Sequence, residues 1–220
     1  LVMNTPSDQY SIKDGEIKFT TFTTNYILEH YKTLVGSSGP YSYDLLYKKF
    51  KNEPDSMSLN DYIMLYIGFS EQPGYSPYQN NMHEIYGFLP DESRKAIELA
   101  EETVRNNPTQ FPVYRILANL YLQNGDYDQY YTNIIRYFGF LDAIKATGNG
   151  KSAEASFLVT HINHEYEITG NLGLNFTQQS LVSEKHHDYD IITGNTPDGK
   201  EDNLYFNIDK PFGTLSETFR

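Results

Sequence analysis

The sequence predicts an α+β chain, with antiparallel helical hairpins first and a small antiparallel β element after them. Apolar residues recur at three- and four-residue steps from about residue 23 to residue 146, the stripe of successive amphipathic helices. From Ser152 onward the period falls to two, as expected of strands. Gly-, Pro- and Asn-rich breaks separate the runs. We read residues 1–150 as a helical-hairpin region with an inserted loop at about 70–91. Residues 151–220 form a β-rich region expected to pack on the helices as one domain.

Taken in order, Asp14-Gly15 is a turn between Ile12 and the pair Ile17 and Phe19, which suits a short strand or a packed N-terminal arm. Ile27, Leu28, Tyr31, Leu34 and Val35 share one helical face, and Gly36-Ser-Ser-Gly-Pro40 breaks it. Tyr43, Leu46, Tyr47 and Phe50 mark the next helix, which stops before Pro54 because proline disfavours a helical predecessor. Ser58 and Asp61 read as a capped start. The helix they open carries Tyr62, Leu65, Tyr66 and Phe69 and runs into YIGFSEQPGYSPYQ, residues 66–79.

Behind Pro90 a further helix begins with Asp91, and Ala96, Ala100 and Thr103 form a small-residue line that lets a neighbour approach. Pro112 suits the first turn of the following helix, with Val113, Leu117, Leu120 and Tyr121 inward and Asn124-Gly125 as its left-handed cap. Asp126 to about Ala146 is the last helix, with Tyr127, Tyr130, Ile134 and Phe138 as its expected stripe, and Gly148-Asn-Gly150 interrupts the chain. Phe157 and Val159 alternate with Leu158 and Thr160, and His161 to Ile168 reads as β-prone. Leu174 and Phe176 precede a polar run to Lys185. Tyr189 and Ile191, then Leu204, Phe206 and Ile208, are strands joined by Gly194-Asn-Thr-Pro-Asp-Gly199.

Composition bounds the function. The 220 residues carry a net charge of −12, which repels phosphate backbones and anionic bilayers, so neither nucleic acid nor a membrane surface is an expected partner. No run of 18 apolar residues offers a transmembrane segment. There is no cysteine, which excludes disulfides, thiolate metal sites and a cysteine nucleophile. The chain opens Leu1-Val2-Met3, an opening compatible with a removed leader and with export to the periplasm or cell envelope.

Motifs for catalysis are weak. In HINHE, His161 and His164 are three apart in a strand-like run, so they are expected on opposite faces, and no metal site is assigned. Glu165 and Glu167 would then share a strand face, and Glu101-Glu102 lies on a solvated helix face. GNGKSAE, residues 148–154, lacks phosphate-loop spacing. No catalytic residue and no cofactor is assigned.

Pro54 and Pro108 each end a helix, 54 residues apart (108 − 54), which is one 34-residue tetratricopeptide period plus 20. Ala96, Ala100 and Pro108, then Tyr114, Leu117, Ala118 and Tyr121, match that repeat, and the surplus falls at residues 70–91. The order YDLLYKKF, SLNDYIMLYIGFSEQPGYSPY and NLYFNID, with Tyr66-Ile-Gly68-Phe69 and Tyr75-Ser-Pro77-Tyr78, resembles an uncharacterised domain family of exported proteins from Bacteroides-type bacteria. The likeness is closest over residues 40–80; Ile67 stands where a second tyrosine is expected. The resemblance implies a fold and an envelope location but no activity.

Tyr66, Phe69, Tyr75 and Tyr78 are the binding candidates, because a stiff Pro/Gly loop presents rings at low entropic cost. The expected function is a non-enzymatic, exported interaction or scaffold module for a protein or peptide. A glycan-binding protein or hydrolase using the same loop and the polar β tail is the alternative.

Overall fold

The computed structural model describes residues 10–13, 16–19, 41–78 and 81–218, and among them it is an α+β chain of eight α-helices and two sheets. Strands β1 (Tyr10–Lys13) and β2 (Glu16–Phe19) pair antiparallel with Ile12 opposite Ile17, as the Asp14-Gly15 punctuation anticipates. The helix expected over residues 27–35 lies outside the described residues.

Helices α1 (Tyr43–Asn52) and α2 (Leu59–Phe69) flank a 3-10 turn at Pro54–Ser56. Ser58 and Asp61 form a reciprocal capping box: the Asp61 amide donates to Ser58 Oγ and the Ser58 amide to Asp61 Oδ2. Helix α2 is buried on every side from Tyr62 to Phe69, so it is the axis of the core and not a one-faced surface helix. The expected insertion holds a short helix, α3 (Met82–Gly87). Then α4 (Ser93–Asn106), α5 (Phe111–Gln123) and α6 (Tyr127–Lys145) pack one on the next, and α2 lies against α6. Ala96, Ala100 and Thr103 are buried where α4 meets α5, and Gly125 adopts φ +76° at the α5–α6 turn.

Helix α6 differs in phase from expectation. Its buried face is Asn133, Tyr137, Phe140, Leu141 and Ile144, whereas Tyr127 and Phe138 are exposed. Both rows have helical spacing, and packing against two helices at once selected the second. Gly139 lies where α6 crosses α2: a β-carbon there would sit 2.2 Å from Tyr62 Cζ.

The second half is a four-stranded mixed sheet of order β3-β6-β5-β4. Strand β3 (Phe157–Leu158) runs parallel to β6 (Glu201–Asn207), a departure from the all-antiparallel expectation, while β5 (His187–Asn195) pairs antiparallel with both neighbours. Strand β4 (Asn175–Glu184) spans the polar run that precedes Lys185; it lies at the sheet edge, almost wholly exposed. Lys185 and His186 turn β4 into β5 with φ 52° and 70°.

Residues expected to continue the strands instead form α7 (Ile162–Asn171), and α8 (Asp209–Thr218) follows β6. One hydrophobic core runs from α1 and α2 through Phe157, Ile168, Ile192 and Phe206, so helices and sheet share it.

Candidate functional site

The loop leaving α2 is a seam. Tyr66 and Phe69 are buried, with 1% and 4% of their surface exposed, and present nothing to solvent. Tyr75 is half-buried, edge-on to Phe69 and His161, and its hydroxyl donates to the Thr160 carbonyl. Tyr78 keeps 47% of its surface exposed while its hydroxyl donates to the Pro211 carbonyl of α8 at 2.9 Å. Glu71 pairs with Lys210 of the same helix. All three tyrosines therefore tie the helical layer to the C-terminal half, and Tyr78 has the largest free face.

Behind this seam lies a sealed polar cluster. Thr160 N–H donates to the Tyr66 hydroxyl (3.0 Å), which is hydrogen-bonded to His164 Nδ1 (2.7 Å). Asn107 Oδ1 accepts from the Thr109 amide and hydroxyl, which orients the Asn107 amide so that its Nδ2 donates to His161 Nε2 (2.7 Å). His161 Nδ1–H then donates to Thr160 Oγ1 (3.0 Å). The network fixes the His161 proton on Nδ1; the two imidazole rings have centroids 4.7 Å apart, and His164 Nε2 is buried without a partner. His161 and His164 stand side by side because they lie at the cap and first turn of α7, not on opposite faces of a strand. Burial pushes the His161 imidazole down to about 3, and burial with the neighbouring His161 holds His164 well below the ordinary range. Both are neutral.

The next turn of α7 sends its two glutamates apart. Glu165 is buried; desolvation first, then the Asp190 carboxylate of β5, pushes it up to about 9. Gln179 Nε2 donates to Asp190 Oδ2 (2.7 Å), and a protonated Glu165 beside Asp190 avoids two like charges in the core. Glu167 instead accepts from Arg115 Nε and Nη2 (2.9 and 3.1 Å) and from the Tyr137 hydroxyl (2.8 Å), joining α5, α6 and α7. Positions i and i+2 diverge on a helix, which corrects the shared strand face expected for this pair.

A pH optimum of stability follows. The depressed histidines stabilise the fold above their unfolded value of 6.5 and lose that contribution as pH falls towards 3. Glu165, raised, stabilises below its unfolded value of 4.5 and loses that contribution as pH rises towards 9. Between 4.5 and 6.5 the unfolded chain gains two histidine protons and lacks one glutamate proton, so stability rises with pH; above 6.5 only the glutamate acts and stability falls. Calorimetric melting temperatures from pH 5 to 9 are expected to peak near 6.5, with Glu165→Gln removing the alkaline decline.

Elsewhere the helices leave an open pocket of about 300 Å³ between α1, α4, α5 and α6. Lys51, Arg105 and Arg136 converge on it from three helices. The Arg136 guanidinium lies 5.1 Å from the Phe50 ring and 5.8 Å from that of Tyr114, and its Nη2 donates to the Lys51 carbonyl (3.2 Å). Arg136 Nε is buried with no acceptor. Glu101, the one carboxylate among the described residues of the lining, accepts from the Tyr121 hydroxyl and pairs with none of the three cations. Among the residues from 41 onward whose side chains are described, the lysines and arginines outside ion pairs are Lys48, Lys51, Arg105, Arg136 and Lys145, and three of these five line this pocket.

No helix among the described residues is long and apolar enough to cross a membrane, and no group of three or more His, Asp or Glu is placed to hold a metal. No curated protein and no solved structure matches the chain. Residues 32–216 match the model of the family described as Domain of unknown function (DUF4919), and with most of its length inside that match the chain belongs to this family.

Proposed function

We propose that the chain is a non-enzymatic interaction module that engages a protein or peptide partner through its helical layer. One observation carries this reading. The histidine pair His161 and His164 with Glu165 is sealed and neutral, whereas the open pocket between α1, α4, α5 and α6 holds three cations, aromatic rings and one carboxylate, Glu101, taken up by the Tyr121 hydroxyl, and the part-exposed pair His187–Asp209 does not line it. General acid–base catalysis needs a titrating group within reach of substrate. Binding needs only complementary charge and shape. A neutral glycan is the poorer fit, since its hydroxyls bring no charge to three cations. An exported location, in the periplasm or envelope, suits the cysteine-free composition.

The test is a photo-crosslinking residue at Gln129, an exposed member of the pocket, compared with one at the exposed Asp142. A discrete protein adduct from position 129 alone, formed in the producing cell, is the expected result. Equal labelling from both positions, or no protein adduct from either, contradicts the reading.

A further inference from the structure

The pocket between the hairpins is built for an anion, and we infer that it receives a carboxylate carried on a small apolar or aromatic body. The inference deepens the interaction-module reading and takes its biological role from it. Arg136 is the centre. The rings of Phe50 and Tyr114 flank its guanidinium, and the bond from Nη2 to the Lys51 carbonyl anchors it. Its Nε–H is buried without an acceptor, so the protein alone leaves this guanidinium under-satisfied. A carboxylate is the planar acceptor that matches a guanidinium's paired N–H groups.

Charge supports the same assignment. Among the described residues the pocket holds three cations and one carboxylate, a formal +2, in a chain whose net charge is −12. Lys51 and Arg105 are exposed at its rim, where they steer an anion towards Arg136. Gln129 and Asn133 add two amides to the lining, and Val104 and Leu117 with the rings of Tyr47 and Tyr121 supply an apolar wall. That surface suits a hydrocarbon body better than the second and third oxygens of a phosphate. At about 300 Å³ the pocket is near the lower end of small-ligand sites, large enough for one side chain or one chain terminus.

Titration calorimetry with phenylacetate, phenylacetamide and inorganic phosphate tests this. Phenylacetate should bind saturably, at least about tenfold more tightly than its amide or phosphate, as expected when a charge-assisted pair is present. Arg136→Gln should weaken it by about tenfold or more. Because Arg136 also braces α1, the exposed pair Lys51→Gln/Arg105→Gln serves as a second variant, and it should lower affinity severalfold with an unchanged melting curve.

A short peptide ending in a free phenylalanine carboxylate, against its C-terminal amide, separates a chain terminus from a free small molecule as the source. Binding of the free-acid peptide places the source on a protein, and binding of phenylacetate alone places it on a metabolite; either outcome upholds the carboxylate site. Equal affinity for phenylacetate and phenylacetamide, phosphate binding as tight as phenylacetate, or indifference of both variants overturns it. Phenylacetate binding without a crosslinked protein would sink the module reading alone, and a crosslink without phenylacetate binding would sink the carboxylate alone.

Discussion

Tyr66→Phe is expected to lower the free energy of unfolding by about 2–4 kcal/mol, although it deletes one oxygen. That oxygen accepts from the Thr160 amide and is hydrogen-bonded to His164 Nδ1, both fully buried. Phenylalanine fills the same space and leaves both partners without a bond. Each buried polar group so orphaned costs roughly 1–3 kcal/mol, with the two costs overlapping where the cluster relaxes. Tyr75 bonds the carbonyl of the same Thr160 but is half-buried, so Tyr75→Phe should cost less than half as much. Urea unfolding of the two variants decides it. Near-equal losses would mean that the seam, not the sealed cluster, holds Thr160.

Gly139→Ala should also destabilise, by about 1–3 kcal/mol, against the gain of about 1 kcal/mol that helix propensity alone predicts. An added β-carbon would lie between 2.2 and 2.5 Å from three atoms of the Tyr62 ring. That ring cannot swing aside freely: it is edge-on to Phe50 and Phe140, and its hydroxyl reaches the Pro54 carbonyl at 3.3 Å. The clash must therefore push α6 from α2. A double-mutant cycle with Tyr62→Ala should show a coupling of the same order, because removing the ring removes the obstacle. A stabilised Gly139→Ala protein would mean that the α2–α6 crossing is looser than described.

Local chemistry was legible where one residue decides one feature. Ser58 with Asp61 marked a cap, Pro112 a first turn and Gly125 a left-handed turn, and each needs no knowledge of the rest of the chain. Ala96, Ala100 and Thr103 marked a close helix contact for the same reason. Misreadings arose where burial is polar. On α7 the inward face is His164, Glu165, Ile168 and Thr169, at helical spacing, but three of the four are polar, so counting apolar residues finds no stripe. Strand β4 is exposed along both faces and shows no alternation.

The tyrosine loop was legible as a rigid element but not as a seam, because its partners Thr160 and Pro211 lie 85 and 133 residues away. The cationic pocket was invisible for the same reason: Lys51, Arg105 and Arg136 are scattered over three helices, and packing alone brings them together. No short motif could have signalled it.

Amide chemical-shift mapping on addition of phenylacetate tests most directly where this molecule meets a ligand. Saturable shifts confined to the end of α1 and the facing turns of α4, α5 and α6, around Lys51, Arg105 and Arg136, are the predicted result. Shifts centred on Tyr75 and Tyr78, or on His161 and His164, with the pocket unmoved, would contradict it.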